Sequence, residues 1–288
     1  MRLKNVNKYS SSTHRLLSLK IKRIMDLQNI CQQVINLSKE TGRFILNEKN
    51  NNSDIRFEEK GLHDFVTYVD KTSEQKLVEG LNVILPEAGY IVEEQTTTAR
   101  GENYTWIIDP LDGTTNFIHG LKPFAISVAL MEKDEIILGV VYEIGLDECF
   151  YAWKGSAAYL NGEKINVSKK NRIEDSLIAT GFPYYDYKRI NPFLVSLEYF
   201  MKNSHGVRRL GSAATDLVYV ACGRFEAFYE YSLSAWDVAA GSFIVKQAGG
   251  KVSDFKGKND YIFGQEIVAA NNEVYDDFLA LVEQYMNN

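Results

Sequence analysis

The sequence predicts an α/β protein of layered helices and sheets. Three observations carry this. Helical and strand-like periodicities are both present, strand-like runs cluster between residues 90 and 153 at spacings that suit antiparallel pairing, and helical segments stand in pairs around them. That order departs from strict βαβ winding. No fixed-period repeat or low-complexity segment interrupts residues 25–288.

The elements follow in order. From Asp26 to Glu48 the apolar residues Leu27, Ile30, Cys31, Val34, Ile35, Leu37, Ile45 and Leu46 keep mostly helical spacing, with Asp26 as N-cap. Asn50 to Asp54 reads as a loop. Lys71 to Leu85 is a second helix, stopped by Pro86. Strands follow at Tyr90–Val92, Tyr104–Ile108, Phe124–Met131, Ile136–Tyr142 and Glu148–Trp153, with Asp134 in a turn. Asn161-Gly162 signals a hairpin. Helices are expected over Pro192–Lys202, Ala213–Cys222, Asp237–Ala248 and Glu273–Met286, and strands over Arg224–Tyr231, Lys251–Asp254 and Ile267–Ala269.

Composition sets the bounds. A chain of 288 residues, 45% hydrophobic and 24% charged, can bury most of its unfolded surface. A net charge of −6 argues against general nucleic-acid binding. Cys31, Cys149 and Cys222 form no CxxC, so neither a disulfide framework nor a thiolate zinc site is expected. His14, His63, His119 and His205 form no spaced metal cluster. No apolar run reaches the roughly 18 residues of a membrane span, and the expectation is a cytoplasmic protein that works without a membrane or nucleic acid.

Residues 1–24 stand apart. They hold seven basic residues and no acid; the rest has 25 basic and 38 acidic residues, a balance of −13. A signal peptide does not fit, because Lys20 interrupts Leu16-Leu17-Ser18-Leu19 and no small-residue cleavage site follows. The expected division is a flexible basic extension over 1–24 and a single catalytic domain over 25–288. Met25-Asp26-Leu27 also reads as a natural beginning.

Four acidic stations carry the chemistry. The first runs from Trp106 through Asp109-Pro110-Leu111-Asp112-Gly113-Thr114-Thr115 to Phe117. An apolar strand feeds Asp109, and Pro110 should end it in a turn. Asp109 and Asp112 can then aim both carboxylates at one point, with the Leu111 carbonyl as a neutral oxygen ligand. Thr114 and Thr115 open a helix whose free N–H groups suit a phosphate. Hard oxygens beside an anion site point to Mg²⁺. An Asx-turn would explain one Asp but not the whole string. The second station is Glu93-Glu94 after a short strand, by itself an ordinary solvated strand end. The third is Trp236-Asp237 at a helix start, by itself an ordinary cap. The fourth runs from Lys60 through Asp64 to Asp70, and Asp70 could simply cap the next helix.

Taken together and in this order, these strings resemble the inositol monophosphatase family, of the lithium-sensitive, magnesium-dependent phosphatase superfamily. The resemblance covers residues 26–288 and includes Gly211-Ser212-Ala213-Ala214 and Ala269-Ala270-Asn271-Asn272. It implies the layered αβαβα sandwich of the inositol monophosphatase and fructose-1,6-bisphosphatase type, a homodimer, and two or three Mg²⁺ ions per subunit. It implies that Glu93, Asp109 and the Leu111 carbonyl hold a first ion, that Asp109, Asp112 and Asp237 hold a second, and that Glu93 also touches a third. Asp70 and Thr114 match the pair that orients the attacking water. Gly113, Thr114 and Thr115 match the phosphate cradle, Ala213 and Glu230 the inositol contacts, and Lys60 and Asp64 a mobile loop.

The implied reaction is Mg²⁺-dependent hydrolysis of a small phosphate monoester, myo-inositol monophosphate. Other substrates carried by related enzymes are 3′-phosphoadenosine 5′-phosphate, fructose 1,6-bisphosphate, NADP and histidinol phosphate. Glu230 favours a polyol, since a carboxylate accepts hydrogen bonds from hydroxyls and repels a second phosphate. A non-catalytic regulatory homologue is the alternative from another class. Tyr184-Tyr185-Asp186-Tyr187 reads equally as a pocket wall or an exposed turn. Arg208-Arg209 reads as a surface strand or a subunit contact.

Overall fold

The computed structural model describes residues 25–51, 57–61, 64–97, 99, 101–183 and 186–286. The basic extension 1–24, the part of the expected loop at 52–54, His63 and the Tyr184-Tyr185 pair lie outside them.

Helix α1 (Leu27–Asn51) opens the described chain, capped by Asp26, whose Oδ1 accepts the Asn29 amide at 3.0 Å. A hairpin of β1 (Phe57–Gly61) and β2 (Asp64–Thr67) leads into α2 (Tyr68–Ile84). This helix begins three residues before the expected Lys71 because Thr67 and Asp70 form a capping box. Next come β3 (Gly89–Val92), β4 (Tyr104–Asp112), the short α3 (Thr114–Ile118), β5 (Ala125–Glu132), β6 (Glu135–Glu143), β7 (Glu148–Trp153), β8 (Ala158–Leu160) and β9 (Glu163–Ile165). Strands β3 to β9 form a seven-stranded sheet in sequence order, with the β3–β4 pair parallel and the rest antiparallel. Asn161 and Gly162 have φ of 48° and 94°, the positive pair that a two-residue hairpin needs.

The second half contains β10 (Leu177–Thr180), α4 (Ile190–Asn203), β11 (Gly206–Arg208), α5 (Ala213–Ala221), β12 (Ala227–Tyr231), α6 (Ala235–Gln247), β13 (Lys251–Ser253), β14 (Glu266–Ala270) and α7 (Tyr275–Met286). Its five-stranded sheet runs β11-β10-β12-β14-β13. Strand β12 starts at Ala227 rather than the expected Arg224, because the Arg224 and Phe225 amides turn back to the Tyr219 carbonyl.

The layers follow from which side chains meet. Trp106 and Ile108 of β4 pack with α1 and α2, while Ile107 between them packs with α5 and α6. Beyond α5 and α6 lies the five-stranded sheet, and α4 and α7 cover its far face with Phe193, Phe200, Phe278 and Val282. The order is therefore helices, sheet, helices, sheet, helices: the expected αβαβα sandwich. Helix α6 sits between the two sheets, which is why its buried residues are not confined to one stripe. It also lies close to α5. A Cβ on Gly241 would come within 2.7 Å of the Leu217 side chain, so only glycine fits there without displacement. Among the described residues, no helix is long and apolar enough to cross a membrane.

Candidate active site

Strand β4 builds the centre of the site. It does not end at Asp109, as the proline predicts, but runs on to Asp112 through a bulge. Asp109 pairs with Ser127 of β5 and Asp112 with Ala125 of the same strand, so three steps along β4 face two along β5. The extra residue accommodates Pro110, which has no N–H to give the ladder. The bulge also re-aims the two carboxylates. The Leu111 amide donates to Asp109 Oδ1 at 2.9 Å, which fixes the Asp109 rotamer. Gly113 then turns the chain with φ 93°, and a Cβ there would crowd Pro123 O and Gly211 O.

Glu93 reaches the same place from the neighbouring strand. Because β3 and β4 are parallel and Val92 pairs with Ile108, the next residues, Glu93 and Asp109, emerge side by side. Asp237 arrives from the opposite side on the first turn of α6. Its Oδ2 accepts the Ser234 amide at 2.6 Å, so the cap reading is correct as well. A carboxylate has lone pairs enough to cap a helix and still serve a ligand. The Ser127 hydroxyl donates to Trp236 O at 3.0 Å and ties this helix start to β5. One carboxylate oxygen from each of Asp109, Asp112 and Asp237 lies within 4.8 Å of the others.

The electrostatics match that convergence. Burial, then the charges of Glu93, Asp112 and Asp237, hold the Asp109 carboxyl well above the usual carboxylate range. Burial pushes Asp112 up to about 6, against the opposing pull of its hydrogen bonds and of Arg209. Those bonds come from the start of α5: the Ser212 hydroxyl donates to Asp112 Oδ2 at 2.6 Å and the Ala214 amide at 2.8 Å. Closely set carboxylates that resist ionising together are relieved by a divalent cation, and an all-oxygen donor set suits a hard one. The residues present therefore fit Mg²⁺.

Asp70 stands behind this centre. It is fully buried, and its Oδ2 accepts the Thr67 amide at 2.8 Å as part of the α2 cap. The Thr114 hydroxyl lies 3.0 Å from both Asp70 Oδ1 and Leu111 O, so its one proton goes to one acceptor at a time. Among the described residues, Thr114 links Asp70 to the cleft. Burial raises its pKa, opposed by its bonds to Thr67 and Thr114.

A cleft of about 400 Å³ opens over these groups, and Gly113, Thr114, Thr115, Ala213 and Glu230 all border it. Glu230, on β12, fits only because residue 181 is glycine: a Cβ there would stand 1.9 Å from Glu230 Oε1. Lys60 and Asp64 lie on β1 and β2, and their side chains are not among those described.

Two charged cleft residues were not assigned there from the sequence. Arg208 is exposed on β11, as a surface strand predicts, but Arg209 turns into the cleft. Its guanidinium lies over the Phe182 ring at 5.4 Å, and its charge opposes the burial that raises the pKa of Asp112, Asp216 and Glu230. Asp216 is buried on α5, and burial followed by the charges of Glu230 and Asp112 raises its pKa well above normal. The one signal for Asp216 was a lone charge in the otherwise apolar run of Leu217 to Ala221 and the small residues before it.

Comparison with known proteins agrees with this architecture. The family profile described as the inositol monophosphatase family matches residues 26–287. A Pseudomonas aeruginosa protein named Nus factor SuhB is 36% identical over 265 residues, covering 90% of this chain and 98% of that one. A Mesorhizobium japonicum protein named inositol-1-monophosphatase is 35% identical over 252 residues, covering 87% and 95%. The crystal structure of the extragenic suppressor protein suhB from Bartonella henselae superposes with a TM-score of 0.85 at 35% identity, covering 89% of this chain and 99% of that one.

Proposed function

The chain belongs to the inositol monophosphatase family, and on that premise we propose that it is a Mg²⁺-dependent phosphomonoesterase that hydrolyses myo-inositol monophosphate to inositol and phosphate. The observation that carries the reading is the convergence of Asp109, Asp112 and Asp237, with Glu93 beside them, at a cleft that Glu230 also lines. A phosphate monoester is a dianion that reacts very slowly in water, so catalysis must come from charge neutralisation and positioning. Bound Mg²⁺ supplies that neutralisation and an activated water.

In this reading Glu93, Asp109 and the Leu111 carbonyl hold one ion, and Asp109, Asp112 and Asp237 a second, with Glu93 shared with any third. Asp70 takes the nucleophile's proton through the Thr114 hydroxyl, whose two acceptors allow it to rotate between roles. Gly113, Thr114 and Thr115 receive the phosphate oxygens, while Ala213 and Glu230 face the leaving group. Residues 25–288 act as one catalytic unit, a homodimer in the cytoplasm, and Li⁺ inhibits by taking the second ion's place.

The names of the relatives divide between Nus factor and inositol-1-monophosphatase. A non-catalytic role is the second reading, and the complete carboxylate set weighs against it. Phosphate release from a panel of inositol 1-phosphate, 3′-phosphoadenosine 5′-phosphate, fructose 1,6-bisphosphate, NADP and histidinol phosphate tests the substrate. The expected result is the highest kcat/KM for inositol 1-phosphate. A higher value for a bisphosphate would overturn the polyol assignment, and no release from any of them would favour the non-catalytic role.

A further inference from the structure

Helix α2 carries a second acid one turn beyond Asp70. Glu74 is fully buried, and neither the fold's apolar core nor the chemistry proposed above makes use of its charge. Its carboxylate reaches across to the segment that follows β3. Oε2 accepts the Glu94 amide at 2.6 Å and Oε1 accepts the Thr96 amide at 2.8 Å. Between those two amides stands Gln95, a non-glycine residue with φ 54°. A left-handed residue flanked by two N–H groups that point to one side makes a backbone nest, a shape that binds anions. Here the anion is supplied from within the chain.

The position of that nest gives it consequence. It begins at the residue immediately after Glu93, and Glu93 must hold its carboxylate beside Asp109 at the end of the neighbouring strand. Strand β3 ends at Val92, so the sheet ladder no longer fixes the backbone at Glu93. A left-handed conformation at Gln95 is one that the chain would leave without a partner to hold it. Charge-assisted bonds from the buried Glu74 side chain provide that partner. Asp70 and Glu74 lie four residues apart on the same face of α2, so one helix sets both the Thr114 side and the Glu93 side of the site.

We infer that Glu74 is a positioning residue: by clamping the Glu94 and Thr96 amides it fixes the orientation of Glu93 and thereby the affinity of the metal centre. This rests on the reading of the site as a Mg²⁺-dependent phosphatase. Glu74 touches neither substrate nor ion in this scheme and acts only through Glu93.

The test compares full-length wild type with Glu74→Gln and Glu74→Asp. Glutamine keeps the volume but sets an NH₂ against one of the two amide donors; aspartate keeps both oxygens on a shorter stem. Amide hydrogen exchange is measured first in metal-free protein. The Glu94 and Thr96 amides should exchange about tenfold faster in Glu74→Gln, while Ile107 and Ile108 in β4 keep wild-type protection. Calorimetric titration with Mg²⁺ alone should then show about tenfold weaker binding in Glu74→Gln, with partial recovery in Glu74→Asp. In assays, the Mg²⁺ needed for half-maximal rate should rise by a similar factor, and kcat at saturating Mg²⁺ should stay within about threefold. A purely structural role would lower Tm and leave the Mg²⁺ affinity of the folded fraction unchanged, which would overturn the inference. Unchanged exchange at Glu94 and Thr96 would overturn it as well. Wild type that neither binds Mg²⁺ nor releases phosphate would instead refute the phosphatase reading, and this inference with it.

Discussion

At the level of single side chains, the proposed two-ion centre turns on Asp109, the carboxylate assigned to both positions. Asp109→Asn keeps its size and its bond from the Leu111 amide but removes the charge that two cations would share. The expected outcome is a fall in kcat of at least ~10³ in folded protein, measured by phosphate release, because ion stabilisation is worth several kcal/mol. Gly181→Ala probes the other end of the cleft. The new Cβ would stand 1.9–2.1 Å from the Glu230 carboxylate, which must swing away. KM for inositol 1-phosphate should rise about tenfold, ~1.4 kcal/mol of binding, while p-nitrophenyl phosphate, which has no ring hydroxyls, is turned over as before. Equal effects on both substrates would remove Glu230 from the leaving-group side. The carboxylates Asp109, Asp112 and Asp237 were legible in the sequence because each sits in a local string whose proline, glycine or helix start has its own physical signature. Arg209, Asp216 and Glu74 were not, because their roles come from partners far along the chain. Glu74 binds amides 20 and 22 residues away, a contact that no local pattern encodes.

Among the elements, the decisive local feature is the bulge in β4, which turns a proline from a strand terminator into a means of aiming two acids. The sequence announced a break at Pro110 correctly, but not that the ladder resumes at Asp112, since resumption depends on the register of β5. Hairpin β8–β9 was readable from Asn161-Gly162 alone. Strands β10 and β11 were not named in advance: they are four and three residues long and pair in parallel, which leaves no alternation to detect. The central helices make a sharper demand. Asp237 is followed by the small residues Ala239, Ala240 and Gly241, and Gly241 approaches Leu217 closely. Gly241→Val should destabilise the fold by about 1–3 kcal/mol, several degrees of Tm for a chain of this size. An unchanged Tm would mean that α5 and α6 can separate freely, contrary to the close approach at Gly241.

For the molecule as a whole, the αβαβα order gathers the site from both sheets and from the helix layer between them. Glu93, Asp109 and Asp112 come from the seven-stranded sheet and its edges, Glu230 from the five-stranded one, and Asp237 from α6. The resemblance of short strings supplied this layering; periodicity alone gave only helices and sheets in alternating groups. Met25 and Leu27, where α1 begins, pack against the core. Removal of residues 1–24, with Met25 as the first residue, should therefore change neither Tm nor specific activity, and a loss of several degrees would show that the basic extension docks on the body. The most direct test of the metal-dependent reading is phosphate release from inositol 1-phosphate by the purified full-length protein, first in excess EDTA and then after Mg²⁺ is restored. The predicted result is background rate in chelator and recovery on adding Mg²⁺. An undiminished rate in EDTA would contradict it, because the convergent carboxylates would then have no cation to hold.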